Sequence, residues 1–504
     1  MVLGLFAGIL SGIPAMLAIA GVPLVTAVIG HLFGAFDLGF LSFFPARVWG
    51  IMSNNLLMAV PLFVLMGVLL ERARLAEDML GVLARMMGGS TRGMGLSVLF
   101  FSAMIAAATG IIGATVVMLV LVGLKPMLDV GISKRQASGL ICASGTLGQI
   151  IPPSILLVLL GDQIGNTYLE AQQKAGNFAP TPVSVGDLFA GALIPGLVLV
   201  GLYALYLLFA LRPPKDAASR PKAEPVSRAE VAYTFLPPML LILAVLGSIL
   251  GGIATATEAA GLGAIGALLL AAFKAAPNRV ERALIVATGL SAFVLVALQM
   301  AGFGRSGAGS LAGAFALLAG ALIAVGTLVA AVRLFRRETL LPAVMDTIRI
   351  SGMVFGIVIA ASLLSLVFRG FGGDHLVTEM IGHLPGGHFA ALAIIMLLVF
   401  FLGFILEAVE IIYVVVPLLG PAVLGTDISP VWFGVLMAMN LQTSFLTPPF
   451  GFALFYFRSA APRSITTADI YRGVVPYVIL QLLALAILAA FPPLATWLPH
   501  VIFG

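Results

Sequence analysis

The sequence predicts an all-α polytopic membrane protein built as an inverted repeat, and three observations support this prediction. Of its 504 residues, 61% are hydrophobic and 9% are charged, whereas about a quarter of the residues in soluble domains carry a charge. Two apolar segments contain adjacent prolines, at 152–153 and 448–449. Two others, 94–126 and 390–421, are too long for one membrane span and too short for two of about 20 residues each.

Each proline pair is expected to break a membrane helix. Proline has no backbone N–H to donate and clashes with the preceding turn, so the helices predicted at 137–160 and 430–457 are interrupted near their middles. The interrupting residues are Pro152, Pro153, Pro448 and Pro449. Because unpaired backbone at membrane depth is tolerated only when it is buried in protein or lines a cavity, the breaks are candidate binding sites.

Arginine and lysine are concentrated in a few connections between apolar segments, such as 72–92 and 333–337. Short loops rich in these residues stay in the cytoplasm. The resulting topology has a first half, 1–211, a basic cytoplasmic linker, 212–232, and a second half, 233–504. The net charge of +5 therefore indicates orientation in the membrane and not nucleic-acid binding.

The two halves share one order of elements, namely span, surface segment, re-entrant hairpin, broken helix and span, with opposite orientation. Such inverted repeats are typical of secondary transporters. The first half begins with one retained span at 2–33 and has an amphipathic surface helix over 71–89. The second half has two extra spans over 283–332. Residues 163–186 and 370–387 are predicted to be polar outer loops.

Several motifs resemble the large membrane subunit of TRAP transporters, the tripartite ATP-independent periplasmic carriers. They are SGTLGQIIPPS at 144–154, GDLFAGALIPG at 186–196, GIATATEAAG at 252–261, GFILEAVEIIYVVVPLLGP at 403–421 and LTPPFG at 446–451. They occur in the same order as in that family, and the resemblance covers nearly the whole chain. The extra spans over 283–332 set the chain apart from the commonest form.

The resemblance implies a secondary transporter in the bacterial inner membrane that imports small organic acids by an elevator movement. It further implies a sodium gradient as the energy source, with Na⁺ as the coupling ion and no other cofactor. The expected partners are a small TRAP membrane subunit and a soluble periplasmic substrate-binding protein. At the first hairpin tip, where the family often has Ser-Gly-Ser, this chain has Ala108, Thr109 and Gly110, which puts one side-chain ligand of a sodium site in doubt.

Sodium is a hard cation, which unwound carbonyls and hydroxyl groups can bind. The candidate ligands are Thr109, Gly110, Ser144, Gly145, Thr146 and Gly148 in the first half, and Asn440, Thr443, Ser444 and Thr447 in the second. The alternative interpretation is that these small residues serve close helix packing.

Two glutamates, Glu407 and Glu410, are the main ionisable groups of the second hairpin. An acid within the membrane costs roughly 2.5–3.5 kcal/mol, so a partner or a function should compensate for it. Glu407 matches an acidic position of the family and is expected either to help bind sodium or to cap the start of a half-helix. Glu258 is expected to act at a helix start or to contact the transported molecule.

Two rival functions are an intramembrane enzyme and a passive channel. An enzyme needs a nucleophile with its base, or an acid pair near a metal ligand, yet Glu407 and Glu410 lack His or Cys partners in the sequence around them. The histidines show no metal-ligand spacing, so no transition-metal site is expected, and the single cysteine, Cys142, excludes a disulfide framework. An inverted repeat within one chain favours alternating access over a channel.

Overall fold

The computed structural model describes residues 1–86, 90–211, 226–276, 278–300, 311–382 and 385–504. Most of the predicted linker, residues 212–225, and the connection 301–310 between the extra spans lie outside the described residues. All regular elements in the described part of the chain are helical.

In the first half, the helices in chain order are α1 (Val2–Leu10), α2 (Ala15–Leu32), α3 (Phe44–Met52), α4 (Ala59–Arg72), α5 (Leu75–Met86), α6 (Thr91–Thr109), α7 (Ile112–Leu119), α8 (Lys125–Asp129), α9 (Lys134–Thr146), α10 (Ile155–Lys174) and α11 (Val185–Ala210). A short 3₁₀ segment, Asn55–Met58, leads into α4, and a π-helical turn, Val120–Leu124, joins α7 to α8.

In the second half, the helices are α12 (Arg228–Leu250), α13 (Ala256–Ala275), α14 (Arg279–Met300), α15 (Leu311–Arg336), α16 (Leu340–Gly370), α17 (Gly373–Gly382), α18 (Gly387–Leu402), α19 (Ala408–Leu419), α20 (Pro421–Leu424), α21 (Pro430–Leu446), α22 (Phe452–Ala460), α23 (Thr467–Ala490) and α24 (Pro493–Phe503).

Among the described residues, nine helical segments are long and apolar enough to cross a membrane. Many of their large apolar side chains face outward, for example Leu197 on α11 and Leu243 on α12, which are 59% and 58% exposed. Only a lipid environment accommodates so much exposed apolar surface. The predicted fold class, an all-α polytopic membrane protein, is confirmed.

Three sequence-based expectations about element boundaries are wrong, and one helix was not anticipated. The span expected at 2–33 is two helices, because Gly12 adopts a left-handed φ of +86° and is followed closely by Pro14. The outer loop expected at 163–186 begins only after Lys174, since α10 continues through that point. The second outer loop contains the helix α17, and the chain ends in α24, which the sequence reading did not anticipate.

The segments predicted as hairpins each consist of two helical arms. In the first, α6 and α7 meet at Gly110, whose φ of +61° suits a residue without a side chain. The other ends also lie together, because the Thr91 hydroxyl donates a hydrogen bond of 3.2 Å to the Val130 carbonyl. In the second, α18 is followed by residues 403–407 and then by α19. The re-entrant course of both segments in a membrane and the inverted repeat stay predictions.

Ion pairs connect the segments that the sequence assigns to the cytoplasm. Arg72 pairs with Asp346, Arg85 with Glu230 and Arg333 with Glu281, while the Lys274 ammonium lies 2.5 Å from Asp78. At the opposite ends of α10 and α16, Arg369 donates two hydrogen bonds to Glu170, at 2.7 and 2.9 Å. The predicted cytoplasmic segments are therefore neighbours in space. Which face of the membrane they occupy stays a prediction.

Candidate functional site

The first break separates α9 from α10. The N-cap residue of α9 is Ser133, whose hydroxyl oxygen accepts a hydrogen bond from the Gln136 backbone N–H. After Thr146 it tightens into a 3₁₀ turn, Leu147–Gln149, and regular helix resumes only at Ile155. The proline pair lies between these points and prevents a continuous helix, as the sequence predicts.

The second break separates α21 from α22. The helix α21 ends at Leu446, and the next five residues, 447–451, include the second proline pair. Gly451 then adopts a φ of +46°, and a β-carbon there would lie 3.0 Å from the Phe445 carbonyl oxygen. Glycine at this position therefore lets the chain turn back close to the helix that it has just left.

Each predicted hairpin tip packs against a broken helix. A β-carbon at Gly110 would lie 3.1 Å from the Ile155 backbone nitrogen, where α10 begins. A β-carbon at Gly403 would lie 1.9 Å from the Ser444 hydroxyl oxygen on α21. Along the first hairpin, a β-carbon at Gly145 would lie 2.3 Å from the Val116 side chain. Glycine at these positions permits close approach of the hairpins to the breaks.

A central cavity of about 110 Å³ lies between the two breaks and the two tips. Its lining includes Gly110, Gln149 and Glu407, together with Met353 and Val354 of α16. Sites for small organic ligands usually measure about 300–1,000 Å³. The central cavity is therefore smaller than the usual site for a small organic ligand, whereas a bare ion needs less space.

Four helices begin at the wall of the central cavity. They are α7 at Ile112, α10 at Ile155, α19 at Ala408 and α22 at Phe452. The first backbone N–H groups of a helix have no partner within the helix, and the helix dipole adds a partial positive charge there. These ends add partial positive charge at the wall of the cavity, which favours an anion, while the acidic residues that cap α19 oppose it.

The same breaks present helix C-terminal ends to nearby hydroxyl groups. The Ser144 hydroxyl, near the end of α9, and the Ser444 hydroxyl, near the end of α21, are fully buried and have no hydrogen-bond partner among the described residues. A buried hydroxyl without a partner is unfavourable by about 1–3 kcal/mol. Each serine therefore has an oxygen free for a ligand, next to carbonyls that carry partial negative charge.

The other predicted ligands in these helices already have partners. The Thr146 hydroxyl donates to the Ala143 carbonyl at 2.8 Å and accepts from Gln481 at 3.2 Å. Thr443 and Thr447 donate to carbonyls of α21, at 2.8 and 2.7 Å. Their oxygens retain lone pairs that can bind a cation.

Asn440 faces the second hairpin, because its amide donates to the Met396 carbonyl of α18 at 2.6 Å. Gly145 and Gly148 are buried beside the first break, and the side chain of Thr109 lies outside the described residues. Of the predicted ligands, Gly110 and Glu407 line the central cavity itself.

The acidic positions occupy helix starts. Glu407 is the N-cap residue of α19, and its backbone N–H donates to the Glu410 carboxylate at 3.3 Å. Glu407 and Glu410 therefore form a reciprocal capping box at the start of α19, and Glu407 also lines the central cavity. Glu258 caps α13, since its carboxylate accepts from the backbone and the hydroxyl of Thr255 at 2.8 and 3.0 Å. The helix-start role expected for Glu258 is confirmed.

Two larger clefts flank the central cavity along α16, and this helix lines all three spaces. We call them the inner and the outer cleft after the predicted orientation in the membrane. The inner cleft, about 670 Å³, shares Ile111 and Ile350 with the central cavity. The outer cleft, about 370 Å³, is lined by Val358, one helical turn beyond Val354 of the central cavity. The three spaces therefore follow one line along α16.

Several buried polar residues at the site were missed by the sequence reading. Gln149 is 5% exposed, lines the central cavity and has an unpartnered side-chain oxygen. Gln442 is fully buried near Tyr203, and its amide makes no close hydrogen bond with the residues that the structure describes. Tyr456 lines the central cavity beside Gly113. The signal for Gln149 and Gln442 was present, because each is an amide inside a predicted membrane helix, next to the polar residues that were chosen as candidate ligands.

The geometry is that of a polytopic membrane protein with a binding site between broken helices. A sequence model of the family described as "Tripartite ATP-independent periplasmic transporter, DctM component" matches residues 2–306 and 274–494. Together these matches cover most of the chain. The protein therefore belongs to the DctM family, the large permease component of TRAP transporters.

Characterised relatives carry different substrates. The chain is 26% identical to the C4-dicarboxylate TRAP transporter large permease protein DctM of Vibrio cholerae, covering 89% of this chain and 86% of the relative. It is 26% identical to the sialic acid large permease protein SiaM of the same organism, covering 92% and 91%. It is 25% identical to the ectoine large permease protein TeaC of Halomonas elongata, covering 98% and 97%.

Among solved structures, the chain is similar to the YdaH transporter of Alcanivorax borkumensis. The TM-score is 0.54 at 16% sequence identity, and the match covers 92% of this chain and 90% of that one. At this identity the similarity supports the fold alone.

Proposed function

We propose that this chain is the large membrane subunit of a sodium-driven importer of small organic acids in the bacterial inner membrane. The observation that carries the proposal is the central cavity, at which four helices begin and two hairpin tips meet two broken helices. Relatives named for C4-dicarboxylates and sialic acid support carboxylates as the substrate class.

Sodium coupling follows from the charge of this cavity. No lysine, arginine or histidine occurs among its described lining residues, and Glu407 is the acidic side chain among them. Helix N-termini alone would then have to attract a carboxylate against this acid. Bound sodium would supply the missing positive charge, and the unpartnered Ser144 and Ser444 hydroxyls are the ligands that we assign to it.

An elevator movement is supported by the position of the clefts. The outer cleft is lined by α10, which belongs to the first broken helix, by α19 of the second hairpin segment, and by α3 and α16. Movement of the broken helices and hairpins past α16 would carry a bound substrate from the outer to the inner cleft. The family name, which describes a tripartite periplasmic system, supports a small membrane subunit and a periplasmic binding protein as partners.

The test is uptake of radiolabelled organic acids into vesicles that contain this chain, its small subunit and its binding protein. We expect uptake with an inward sodium gradient and loss of uptake when potassium replaces sodium. Vesicles without this chain are the control. Equal uptake in potassium would contradict sodium coupling, and the absence of uptake for every carboxylate would contradict the proposed substrate class.

A further inference from the structure

The outer cleft contains an arginine with no partner to neutralise it. Arg47, on α3, lines the cleft and makes no ion pair or side-chain hydrogen bond with any residue that the structure describes. The nearest acid, Glu170, is already engaged, since Arg369 donates two hydrogen bonds to it and the Lys174 ammonium lies 3.0 Å away. The remaining acid of the cleft, Asp162, accepts hydrogen bonds from Asn54 at 2.8 Å and from Tyr413 at 3.1 Å.

The surroundings of Arg47 are unfavourable for an isolated cation. Partial burial lowers the pKa of Arg47, and the neighbouring positive charge of Arg369 lowers this pKa further, while Glu170 raises it. Arginine stays protonated in proteins. An anion beside Arg47 would therefore offset the cost of burying this charge and its repulsion from Arg369.

The cleft supplies further groups for such an anion. Ser362 and Ser365 lie one turn apart on α16 and line the cleft, and neither hydroxyl has a hydrogen bond among the described residues. Gln163 and Asn166 of α10 add amides to the opposite wall. The volume of about 370 Å³ lies within the usual range for small organic ligands.

The cleft lies directly beyond the central cavity along three helices. Leu159 of α10 and Ile412 of α19 line the central cavity, while Asp162 and Tyr413 on the same helices line the outer cleft. On α16 the corresponding step, from Val354 to Val358, is one helical turn, which corresponds to about 6 Å. A molecule in the outer cleft would therefore be one turn away from the central cavity.

We propose that the outer cleft is a separate binding site for the substrate carboxylate, held by the Arg47 guanidinium and the α16 serines before the central cavity is reached. This inference rests on the proposed function for the identity of its ligand. Arginine suits the role because its planar guanidinium binds a carboxylate through two parallel hydrogen bonds.

The test measures occupancy of the cleft without measuring transport. Gly50 lines the cleft one turn from Arg47, and a β-carbon there meets no atom within 4 Å, so Gly50→Cys introduces a thiol with little strain. In a Cys142→Ala background, the labelling rate of this cysteine by a membrane-impermeant thiol reagent is measured in vesicles. Succinate, sialic acid and the uncharged diamide of succinate are added in turn at millimolar concentrations.

We expect at least one carboxylate, but not the diamide, to slow labelling. Arg47→Gln should raise the concentration needed for half-maximal protection by about tenfold or more, and Arg47→Lys by less, because lysine keeps the charge without the paired donors. The control Arg336→Gln removes an exposed arginine of α15 and should leave protection unchanged.

Two results would overturn the inference: absence of protection by both acids, or protection that Arg47→Gln leaves intact. Sodium-driven uptake without protection would count against this site alone. Protection without uptake would count against the proposed function and leave the outer site in place.

Discussion

The two unpartnered serine hydroxyls distinguish sodium binding from helix packing. Ser144 and Ser444 occupy matching places near the ends of the first segments of the two broken helices, and both are fully buried. If they serve packing alone, removal of an unsatisfied hydroxyl is neutral or stabilising. If they bind sodium, the same substitution removes a ligand.

We therefore expect Ser144→Ala and Ser444→Ala each to raise the sodium concentration for half-maximal uptake about tenfold, with no loss of thermal stability in sodium-free buffer. The control is Ser248→Ala on α12, whose hydroxyl donates to the Val245 carbonyl at 2.8 Å. Unchanged sodium dependence in both variants, together with raised stability, would favour packing.

Sequence reasoning located the breaks but not the bonding state of each side chain. Pro152 and Pro448 interrupt a helix in any context, so their effect is local and predictable. Whether the Thr146 oxygen is free depends in part on Gln481, which donates a hydrogen bond to it from more than 300 positions away along the chain. The same holds for Arg47, since its lack of a partner follows from the pairing of Glu170 with Arg369.

At the level of elements, the two segments that the length argument delimits, 94–126 and 390–421, each consist of helical arms whose outer bounds lie within a few residues of those limits, while their re-entrant course stays a prediction. The sequence analysis overlooked the continuation of α10 to Lys174, because the polar residues after Gln163 resemble a loop in composition. The helix persists there because these side chains have partners on other elements, for example Gln172 at the Leu424 carbonyl and Glu170 at Arg369. Contacts of this kind are invisible in a single sequence.

The re-entrant course of the first hairpin predicts one-sided labelling. Arg92 and Lys125 lie at the outer ends of its two arms and are exposed. In the Cys142→Ala background, Arg92→Cys and Lys125→Cys should both react with an impermeant thiol reagent from the cytoplasmic side only. Gly50→Cys, expected on the other face, is the control. Reaction of either hairpin cysteine from the periplasmic side would indicate a true span.

The elevator movement predicts that α10 separates from α16 during transport. The pair Glu170 and Arg369 connects these helices, so Glu170→Cys with Arg369→Cys, joined by a short bifunctional thiol crosslinker, should abolish uptake. A reducible crosslinker should restore uptake after reduction. The matched pair Glu281→Cys with Arg333→Cys, between α14 and α15, should leave uptake intact when joined. Full uptake with the first pair crosslinked would contradict the movement.

For the whole molecule, two candidate cation sites imply electrogenic import. A monocarboxylate accompanied by two sodium ions carries one net positive charge, which contributes about 2.3 kcal/mol per 100 mV of membrane potential. We expect an inside-negative potential to accelerate uptake of a monocarboxylate at a fixed sodium gradient. The measurement is initial uptake in vesicles with an imposed potassium diffusion potential, and insensitivity to this potential would contradict a net charge.

The outer surface also predicts dependence on a soluble partner. Between α10 and α11, only residues 175–184 connect the helices, which is far below the roughly 50 residues of a folded domain. We expect saturable micromolar uptake only when the periplasmic binding protein is added to the reconstituted membrane components. Equivalent uptake in its absence would contradict this division of labour.

The length of α16, the helix that borders all three cavities, also determines which bilayer thickness the molecule fits. With 31 residues, α16 is about 46 Å long, whereas the hydrocarbon core measures about 30 Å. Arg349 and Arg369 stand about 30 Å apart along it, so both guanidinium groups can reach the headgroups of an average membrane at once. In lipids with longer acyl chains one of these arginines would be drawn into hydrocarbon unless the membrane thinned locally. Transport by this chain should therefore have an optimum acyl-chain length.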